Sequence, residues 1–140
     1  MKSAKPITTA IVGLGRAGWD IHARMLRDRS DYRIVEAVDV MPERLEEARR
    51  ELGCQTFRDF DEFLRASKAE LAVICTKSVD HCPMTCAALR AGKHVVVEKP
   101  MAMSVREADR MIAAARKAGK ILTVHQSRRH SPDVMYIRQV

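Results

Sequence analysis

The chain has 140 residues, of which 46% are hydrophobic and 31% are charged, and its formal net charge is +7. This length provides one domain with a buried core and is short for an enzyme of two domains. No apolar run approaches the roughly 18 residues that span a membrane, and residues 1–6 lack the apolar segment of a secretory signal, so the sequence argues against a membrane or exported protein and predicts a cytoplasmic one.

Apolar runs typical of strands alternate with helical patterns along the chain, which predicts βαβ units and a parallel sheet. Strands are predicted at residues 7–12, 33–39, 55–58, 71–75, 94–97 and 121–124, and helices at residues 17–27, 42–52, 60–66 and 80–91 and from Ser104 to Gly119. Pro42 and Gly53 suit the two ends of the second helix, and Ser104 with Glu107 forms a capping box. The predicted fold class is therefore α/β, with a doubly wound parallel sheet.

A glycine-rich segment follows the first strand and opens the first helix. It consists of Gly13, Leu14, Gly15, Arg16, Ala17 and Gly18. The first glycine would permit a tight turn, the second would let the backbone approach a pyrophosphate, and the third would let helix and strand pack closely. Three glycines also serve ordinary turns, but the flanking strand and helix favour a dinucleotide-binding Rossmann domain over residues 1–132.

Asp39 ends the second predicted strand, 21 residues beyond Gly18. From that position a carboxylate can accept hydrogen bonds from the adenosine ribose, and it would repel a 2′-phosphate. The cofactor is therefore predicted to be NAD, with NADP less favoured, although Arg44 nearby softens the preference. Capping of the helix that begins at Pro42 is an alternative role for Asp39, and it does not exclude the first.

Polar residues follow three strands that should end at one edge of the sheet, where ligands of such folds bind. They are Thr76, Lys77 and Ser78 after the fourth strand, Glu98, Lys99 and Pro100 after the fifth, and His125, Gln126, Arg128 and Arg129 after the sixth. Lys99 beside a nicotinamide could exchange a proton with a hydroxyl or polarise a carbonyl, while Glu98 could orient the lysine or bind a ribose. A surface ion pair of Glu98 with Lys99 is the structural alternative.

Several other residues have a structural interpretation that competes with a functional one. His22 is more often a packed or capping histidine than a catalytic one, and Trp19 could flank a cofactor or simply cover its helix. Cys82 and Cys86 lie one helical turn apart beside His81, but zinc sites usually show closer cysteine spacing and a second ligand pair. No metal is predicted, and the four cysteines are expected to be reduced thiols.

The motifs together resemble the N-terminal domain of the glucose-fructose oxidoreductase, inositol dehydrogenase and MocA family (Gfo/Idh/MocA). The resemblance runs from Ile7 to Pro132. It is carried by residues 13–18 with His22, by Asp39, by residues 91–95 leading into Glu98-Lys99-Pro100, and by Arg128-Arg129 with Pro132. It implies that Lys99 is the active-site lysine, that Glu98 contacts the cofactor ribose, and that NAD or NADP serves to oxidise or reduce hydroxyl groups of sugars, inositols and related small molecules.

The sequence departs from the family pattern after the fourth strand. Where the family often has Thr-Pro-Asn, this chain has Thr76-Lys77-Ser78, while His81 stands in the expected place. The resemblance assigns Thr76, Ser78 and His81 to the cofactor site, together with Gln126. The missing proline and asparagine put the local loop in doubt, and Lys77 could bring a positive charge toward cofactor or substrate instead.

The resemblance also implies a second α/β substrate domain, which is absent from this chain. Residues 133–140 are predicted to be the start of a truncated helix that would lead to it. The chain alone is then expected to bind dinucleotide but turn over a sugar or polyol substrate poorly or not at all. The family usually associates through that second domain, so a homo-oligomer is expected for the full-length protein.

Two other functions compete with the oxidoreductase interpretation. A stand-alone NAD-binding or redox-sensing module acting through a protein partner would need the glycine loop but not Lys99. Nucleic-acid binding would use the basic excess of residues 90–140, which carry 11 basic and four acidic residues. Aromatic residues make up only 4% of the chain and do not alternate with basic ones, so no nucleic-acid partner is predicted.

Overall fold

The computed structural model describes residues 5–139, in which six strands alternate with helices. The strands are β1 (Ile7–Val12), β2 (Tyr32–Val38), β3 (Gln55–Phe57), β4 (Leu71–Ile74), β5 (His94–Val97) and β6 (Leu122–Val124). Helix α1 is a π-helix over Ala17–Ala23 that continues as an α-helix over Arg24–Arg27. The other helices are α2 (Pro42–Leu52), α3 (Phe60–Ala66), α4 (Ser78–Arg90), α5 (Val105–Ala118) and α6 (Pro132–Ile137), with a 3₁₀ turn at Ser127–His130.

All six strands are parallel and lie in one sheet in the order β3-β2-β1-β4-β5-β6. The chain therefore moves outward from β1 to one edge, crosses back through α3, and continues from β4 to the other edge. This arrangement confirms the predicted doubly wound α/β fold.

Local signals explain where most of the helices begin and end. Pro42 occupies the first turn of α2, and Gly53 ends that helix with a φ of 61°, a left-handed conformation that glycine adopts readily. The Ser104 hydroxyl accepts a hydrogen bond from the Glu107 N–H at 3.2 Å at the start of α5. The Glu107 carboxylate reaches back to the N–H of Met103 at 3.0 Å, one residue earlier than in a standard capping box.

The predicted boundaries agree with the structure to within two residues except near the end of the chain. Helix α4 begins at Ser78 rather than at Asp80, so Ser78 belongs to its first turn. The helix predicted from Asp133 onward occupies Pro132–Ile137, and Val140 lies outside the described residues. Among residues 5–139, no helix combines the length and apolar character needed to cross a membrane.

The sheet buries a hydrophobic core on each face. The larger core packs β1, β4 and β5 against helices α3, α4 and α5 and includes the fully buried Phe63, Leu89 and Met111. The smaller core packs β1 and β2 against α1 and α2 around Ile11 and Leu45. Burial on both faces accounts for the continuous apolar character of the central strands and fixes their register at the edge where they end.

Candidate functional site

The ends of the strands are aligned in register at one edge of the sheet. Val12 pairs with Val38 on one side and Ile74 on the other, Ile74 pairs with Val97, and Val97 pairs with Val124. The residues that come directly after these five strand ends are therefore aligned along the edge as well. They are Asp39, Gly13, Cys75, Glu98 and His125. The edge thus carries residues from five adjacent strands, as the topology predicts.

The glycine loop packs against the ends of its neighbouring strands. Gly13 has a φ of 90°, and a Cβ at this position would lie 2.9 Å from the carbonyl carbon and oxygen of Cys75. A Cβ on Gly18 would lie 1.9 Å from the Gly13 oxygen, so helix α1 can approach β1 only without a side chain there. At Gly15 the nearest atom is the Arg44 guanidinium, 3.9 Å away, which leaves open space above the loop.

The Asp39 carboxylate is tied to the glycine loop. It accepts hydrogen bonds from the N–H of Leu14 at 2.6 Å and from the N–H of Met41 at 2.9 Å, and Arg44 lies 3.3 Å away. The Asp39 side chain is only 5% exposed, whereas that of Arg44 is 41% exposed. The bond to Met41, the N-cap residue of α2, shows that Asp39 does support the start of that helix, as in the alternative role.

The loop after β4 is joined to the turn after β5 by His81. This buried ring contacts the carbonyl oxygen of Pro100 at 2.8 Å and that of Thr76 at 3.1 Å. The hydroxyl oxygen of Thr76 is buried and has no hydrogen-bond partner among the described residues. Ser78 is half-buried in the first turn of α4, and Lys77 is exposed.

Glu98 is the centre of a buried polar cluster. Its Oε1 accepts hydrogen bonds from Nε2 of His22 at 2.8 Å and from Nδ1 of His125 at 2.7 Å. Its Oε2 accepts a bond from the N–H of Lys99 at 3.1 Å. The two imidazole rings meet edge to face with their centroids 4.5 Å apart.

Opposing effects set the charges in this cluster. Burial alone would raise the pKa of Glu98, but the hydrogen bonds from His22, His125 and the Lys99 N–H together lower it below its usual value, so the carboxylate is ionised at neutral pH. Burial lowers the pKa of His22, only partly opposed by its hydrogen bond to Glu98, so that ring is neutral. Burial also raises the pKa of the Cys75 thiol, which keeps it protonated.

Lys99 and Gln126 present exposed side chains at this edge. The peptide bond between Lys99 and Pro100 is cis. Among residues 5–139, no carboxylate lies within salt-bridge distance of the Lys99 amine, so the surface pair with Glu98 considered from the sequence does not form. The contact between these two residues is through the Lys99 main chain.

A large cleft opens beside this cluster, on the side of β4, β5 and β6. Its volume is about 1530 Å³, and apolar side chains such as Val96, Leu122 and Val124 line it. His22, His125 and Gln126 form one end of the cleft, but neither residues 13–18 nor Lys99 line it. This cleft and the glycine loop are therefore separate, and two members of the cluster, His22 and His125, line the cleft.

The cysteine cluster considered from the sequence does not converge. Both ring nitrogens of His81 contact carbonyl oxygens, and the Cys82 sulfur lies 3.7 Å from the main-chain oxygen of Glu107. The only three-residue group of suitable donors within residues 5–139 is His22, Glu98 and His125, whose donor atoms lie within 4.8 Å of one another. All four cysteines are free thiols.

The residues at this edge fit a dinucleotide. The glycine loop offers open space at Gly15 and the N-terminal end of a helix, which favours phosphate. The Asp39 carboxylate lies beside that loop, and the Thr76 hydroxyl has no hydrogen-bond partner among the described residues. The hydroxyl oxygens of Thr56 and Thr85 are likewise buried without a partner within residues 5–139, so the Thr76 hydroxyl supports a ligand only together with its place beside Gly13.

Topology predicted that Glu98 and His125 would lie close together, and the structure brings them into contact. The sequence did not predict that His22 would contact Glu98. His22 is buried, as expected for a packed histidine, but its ring contacts Glu98 across 76 residues of sequence. The only signal that could have found it is its position one turn into α1, on the helix that starts at the same edge. Trp19 packs on the smaller core, consistent with its structural interpretation.

Comparisons with known proteins agree with this geometry. Residues 7–126 match the family model described as "Oxidoreductase family, NAD-binding Rossmann fold". A scyllo-inositol 2-dehydrogenase (NADP(+)) of Bacillus subtilis is 31% identical over 135 residues, which are 96% of this chain and 37% of that protein.

Two solved structures are similar over nearly the whole chain. The WlbA dehydrogenase of Bordetella pertussis, in complex with NADH and UDP-GlcNAcA, has a TM-score of 0.91 at 28% identity and covers 98% of this chain. The scyllo-inositol dehydrogenase of Lactobacillus casei, with bound NAD(H) and scyllo-inositol, has a TM-score of 0.88 at 30% identity and covers 96%. This chain spans only 40% of the length of either protein.

Proposed function

Because the chain belongs to the Gfo/Idh/MocA family of oxidoreductases, we propose that it is the cofactor-binding part of an enzyme that transfers a hydride between a nicotinamide cofactor and a hydroxyl or carbonyl group. The substrate class is a sugar, an inositol or a related small molecule, as the names of the relatives suggest. The observation that carries the proposal is the single row of Asp39, the glycine loop, Glu98 and Lys99 along one edge of the sheet. The bound cofactor supplies the hydride acceptor or donor.

The dinucleotide site consists of the glycine loop with the three strand ends beside it. Its residues are Gly13, Leu14, Gly15, Arg16, Ala17, Gly18, Asp39, Thr76, Ser78, His81, Glu98, Lys99 and Gln126. The pyrophosphate lies over Gly15, where the loop leaves open space, and the adenosine ribose lies at Asp39. The Thr76 hydroxyl, which has no partner among the described residues, donates to the ligand.

Lys99 is the catalytic residue of the proposal. Its side chain is exposed at the carboxyl end of β5 and forms no ion pair within residues 5–139, so its amine is available to a substrate oxygen. An ammonium group there gives a proton to a carbonyl oxygen as the hydride arrives, and the amine takes the proton of a hydroxyl in the reverse direction. Glu98 fixes the start of the turn because it accepts the Lys99 N–H.

The cofactor is NAD in preference to NADP. The Asp39 carboxylate lies beside the loop and would repel a 2′-phosphate. Arg44 lies 3.3 Å from that carboxylate and is substantially exposed, so it is available to a 2′-phosphate and weakens the preference. The relatives differ in the same respect, since one is named for NADP(+) and one was solved with NAD(H).

Further parts of the proposal concern the protein as a whole. A second α/β domain supplies the substrate pocket, so residues 1–132 bind the cofactor without turning over substrate by themselves, and residues 133–140, which include most of α6, lead to it. Four free thiols suit a reducing compartment, which supports the cytoplasm. Homo-oligomerisation of the full-length protein, and the absence of a nucleic-acid partner, stay predictions.

Calorimetric titration of this chain with NAD and NADP, side by side, tests the proposed cofactor. We expect saturable NAD binding that is tighter than NADP binding, and we expect Asp39→Ala to weaken NAD by about tenfold, the effect of losing about 1.4 kcal/mol. Arg44→Ala should weaken NADP and leave NAD nearly unchanged, which makes it the matched control. Failure of either dinucleotide to bind would contradict the proposed site.

The same titration with Lys99→Ala separates the enzyme from a stand-alone sensor. A lysine that only handles a substrate proton should leave NAD affinity within about threefold of the parent protein. In a longer, active form of the protein, the same substitution should abolish turnover. Full turnover without Lys99 would contradict its catalytic role, whereas NAD binding with no turnover in the longer, unsubstituted protein would favour the alternative, an NAD-binding module that acts through a protein partner.

A further inference from the structure

We propose that His125 is a positioning residue of the cofactor site, which acts by holding the Glu98 carboxylate in one orientation together with His22. The inference rests on the proposed function and on the family resemblance, which implies that Glu98 contacts the cofactor ribose. It assigns a role to the side chain of the residue that follows β6 and identifies the Glu98 oxygen that faces the ligand. It concerns only residues of this chain and can be tested without substrate.

One oxygen of the Glu98 carboxylate is saturated with hydrogen bonds. Oε1 of Glu98 accepts hydrogen bonds from His22 at 2.8 Å and from His125 at 2.7 Å. A carboxylate oxygen has about two acceptor positions, so Oε1 has none left for a ligand. Charge-assisted bonds of this length are among the stronger ones in proteins, and they hold the carboxylate from two sides.

The other oxygen of the Glu98 carboxylate has fewer partners. Oε2 of Glu98 accepts one bond, from the N–H of Lys99 at 3.1 Å, and no other partner among the described residues. One acceptor position therefore remains on Oε2. Because the carboxylate cannot rotate without breaking the bonds to both histidines, this position is the one that Glu98 offers to a ribose hydroxyl.

The two histidines differ in how they are held. The His22 side chain is 3% exposed and is fixed within α1, whereas the His125 side chain is 22% exposed and stands at the end of the cleft. Burial keeps His22 in place without help from Glu98. Both bonds hold the carboxylate, and His125 is the partner that can be replaced with least disturbance of the core.

The proposal requires a specific tautomer of each ring. His125 must carry its proton on Nδ1 and His22 on Nε2, because a carboxylate oxygen only accepts hydrogen bonds. His94 provides an internal reference, since its Nδ1 accepts a bond from the N–H of Ile121 at 3.1 Å and its proton must then lie on Nε2. The structure thus assigns opposite tautomers to His125 and His94.

Long-range proton–nitrogen correlation spectra of the ¹⁵N-labelled chain at pH about 8, where an ordinary histidine is neutral, test the assignment directly. We expect the Nδ1–H form for His125 and the Nε2–H form for His22 and His94. An Nε2–H or averaged tautomer at His125 would overturn the proposal. So would stoichiometric binding of added Zn²⁺ that shifts the His22 and His125 resonances together, because the cluster would then be a metal site.

Calorimetry with NAD tests the consequence for the cofactor. The amide nitrogen of Asn can replace the Nδ1–H of His125, whereas Leu cannot, so His125→Asn should keep affinity within about threefold and His125→Leu should weaken it by about tenfold or more. His130→Leu, at an exposed histidine near the same cleft, is the control and should bind as the parent protein does. Circular dichroism of each variant shows that it is folded.

Failure of this inference can be told apart from failure of the proposed function. If the parent chain binds no dinucleotide, the proposed function fails while the tautomers still report on the hydrogen bonds. If the parent chain binds NAD and His125→Leu binds equally well, the cofactor site stands and the positioning role of His125 is wrong. The variants and the spectra together leave both statements open to contradiction.

Discussion

At the scale of single residues, the most informative group is the Glu98 carboxylate, which is buried and yet ionised. Burying an isolated carboxylate is costly, and the cost is offset only when hydrogen bonds surround the charge. Three donors do so here: the two histidine rings and the Lys99 N–H. Removing one donor leaves a buried charge with fewer partners, so each of these contacts affects both stability and the cofactor site.

His22 makes the stability of the chain depend on pH near neutrality. Burial lowers its pKa in the folded protein, whereas the unfolded chain protonates it near 6.5. Below that pH the unfolded state binds more protons than the folded state. The contribution of His22 to stability is therefore fully present above pH 6.5 and is lost as the pH decreases. We expect chemical denaturation to show lower stability at pH about 5.5 than at about 7.5.

Two variants test the origin of this pH dependence. His22→Gln keeps an N–H for Glu98 but cannot be protonated, so its stability should fall less over the same range. His130→Gln, at an exposed position, should follow the parent protein. If the His22→Gln variant has the same pH dependence as the parent, the proton uptake belongs to another group.

How far the site could be predicted depends on the range of the interactions that build it. Gly13, Gly18 and Asp39 belong to a local pattern whose spacing fixes their positions, so they could be found from sequence. Glu98 and His125 were placed at one edge by strand topology alone. The contact of His22 with Glu98 spans 76 residues and depends on how α1 winds, which no local pattern reports.

At the scale of elements, the glycine loop links β1 to α1 through steric limits that differ from one glycine to the next. Gly18→Ala would place a methyl group 1.9 Å from the Gly13 oxygen, a main-chain atom that cannot move aside easily. We expect a loss of about 1–3 kcal/mol of stability or more, measured by urea denaturation. The substitution should push α1 away from β1 and so disturb phosphate binding as well.

Gly15→Ala is the matched substitution in the same loop. Its new methyl group would meet nothing closer than the Arg44 guanidinium at 3.9 Å, so stability should change by no more than about 0.5 kcal/mol. The methyl group would occupy the space proposed for the pyrophosphate, so NAD affinity should fall by about tenfold. Equal destabilisation by both substitutions, or unchanged NAD affinity at Gly15, would contradict this account of the loop.

The elements also show which boundaries sequence can predict. Helix α2 was predicted to the residue because Pro42 and Gly53 mark its ends. Helix α3 was also predicted to the residue, and in the structure Asp59 caps it, accepting from the N–H of Glu62 at 2.7 Å. Helix α4 was predicted two residues late because Lys77, its N-cap residue, makes no side-chain cap. The π-helical winding of Ala17–Ala23 was not predicted, since it arises where the helix leaves the tightly packed loop.

At the scale of the whole molecule, the charge of +7 arises entirely in residues 90–140. If that excess served nucleic acid, a labelled oligonucleotide would bind at about 50 mM salt and lose most of its affinity by about 200 mM. We expect oligonucleotide binding to be weak at both salt concentrations. NAD affinity, which involves only two phosphates, should change by a few-fold at most. Fluorescence polarisation measures the oligonucleotide and calorimetry measures NAD. Tight oligonucleotide binding at about 50 mM salt that is lost by about 200 mM and is not displaced by NAD would contradict this expectation.

The order of the strands has a consequence for how the molecule is made. β1 leaves the ribosome before both β2 and β4, yet it lies between them, and its pairing with β4 joins Thr9 to Leu71. A nascent chain must therefore keep one edge of β1 unpaired until β4 has been synthesised, and exposed strand edges favour association with other chains. The same placement makes β1 the one link between β3-β2 and β4-β5-β6, so loss of the first strand alone would leave two separate sheets instead of a shorter one.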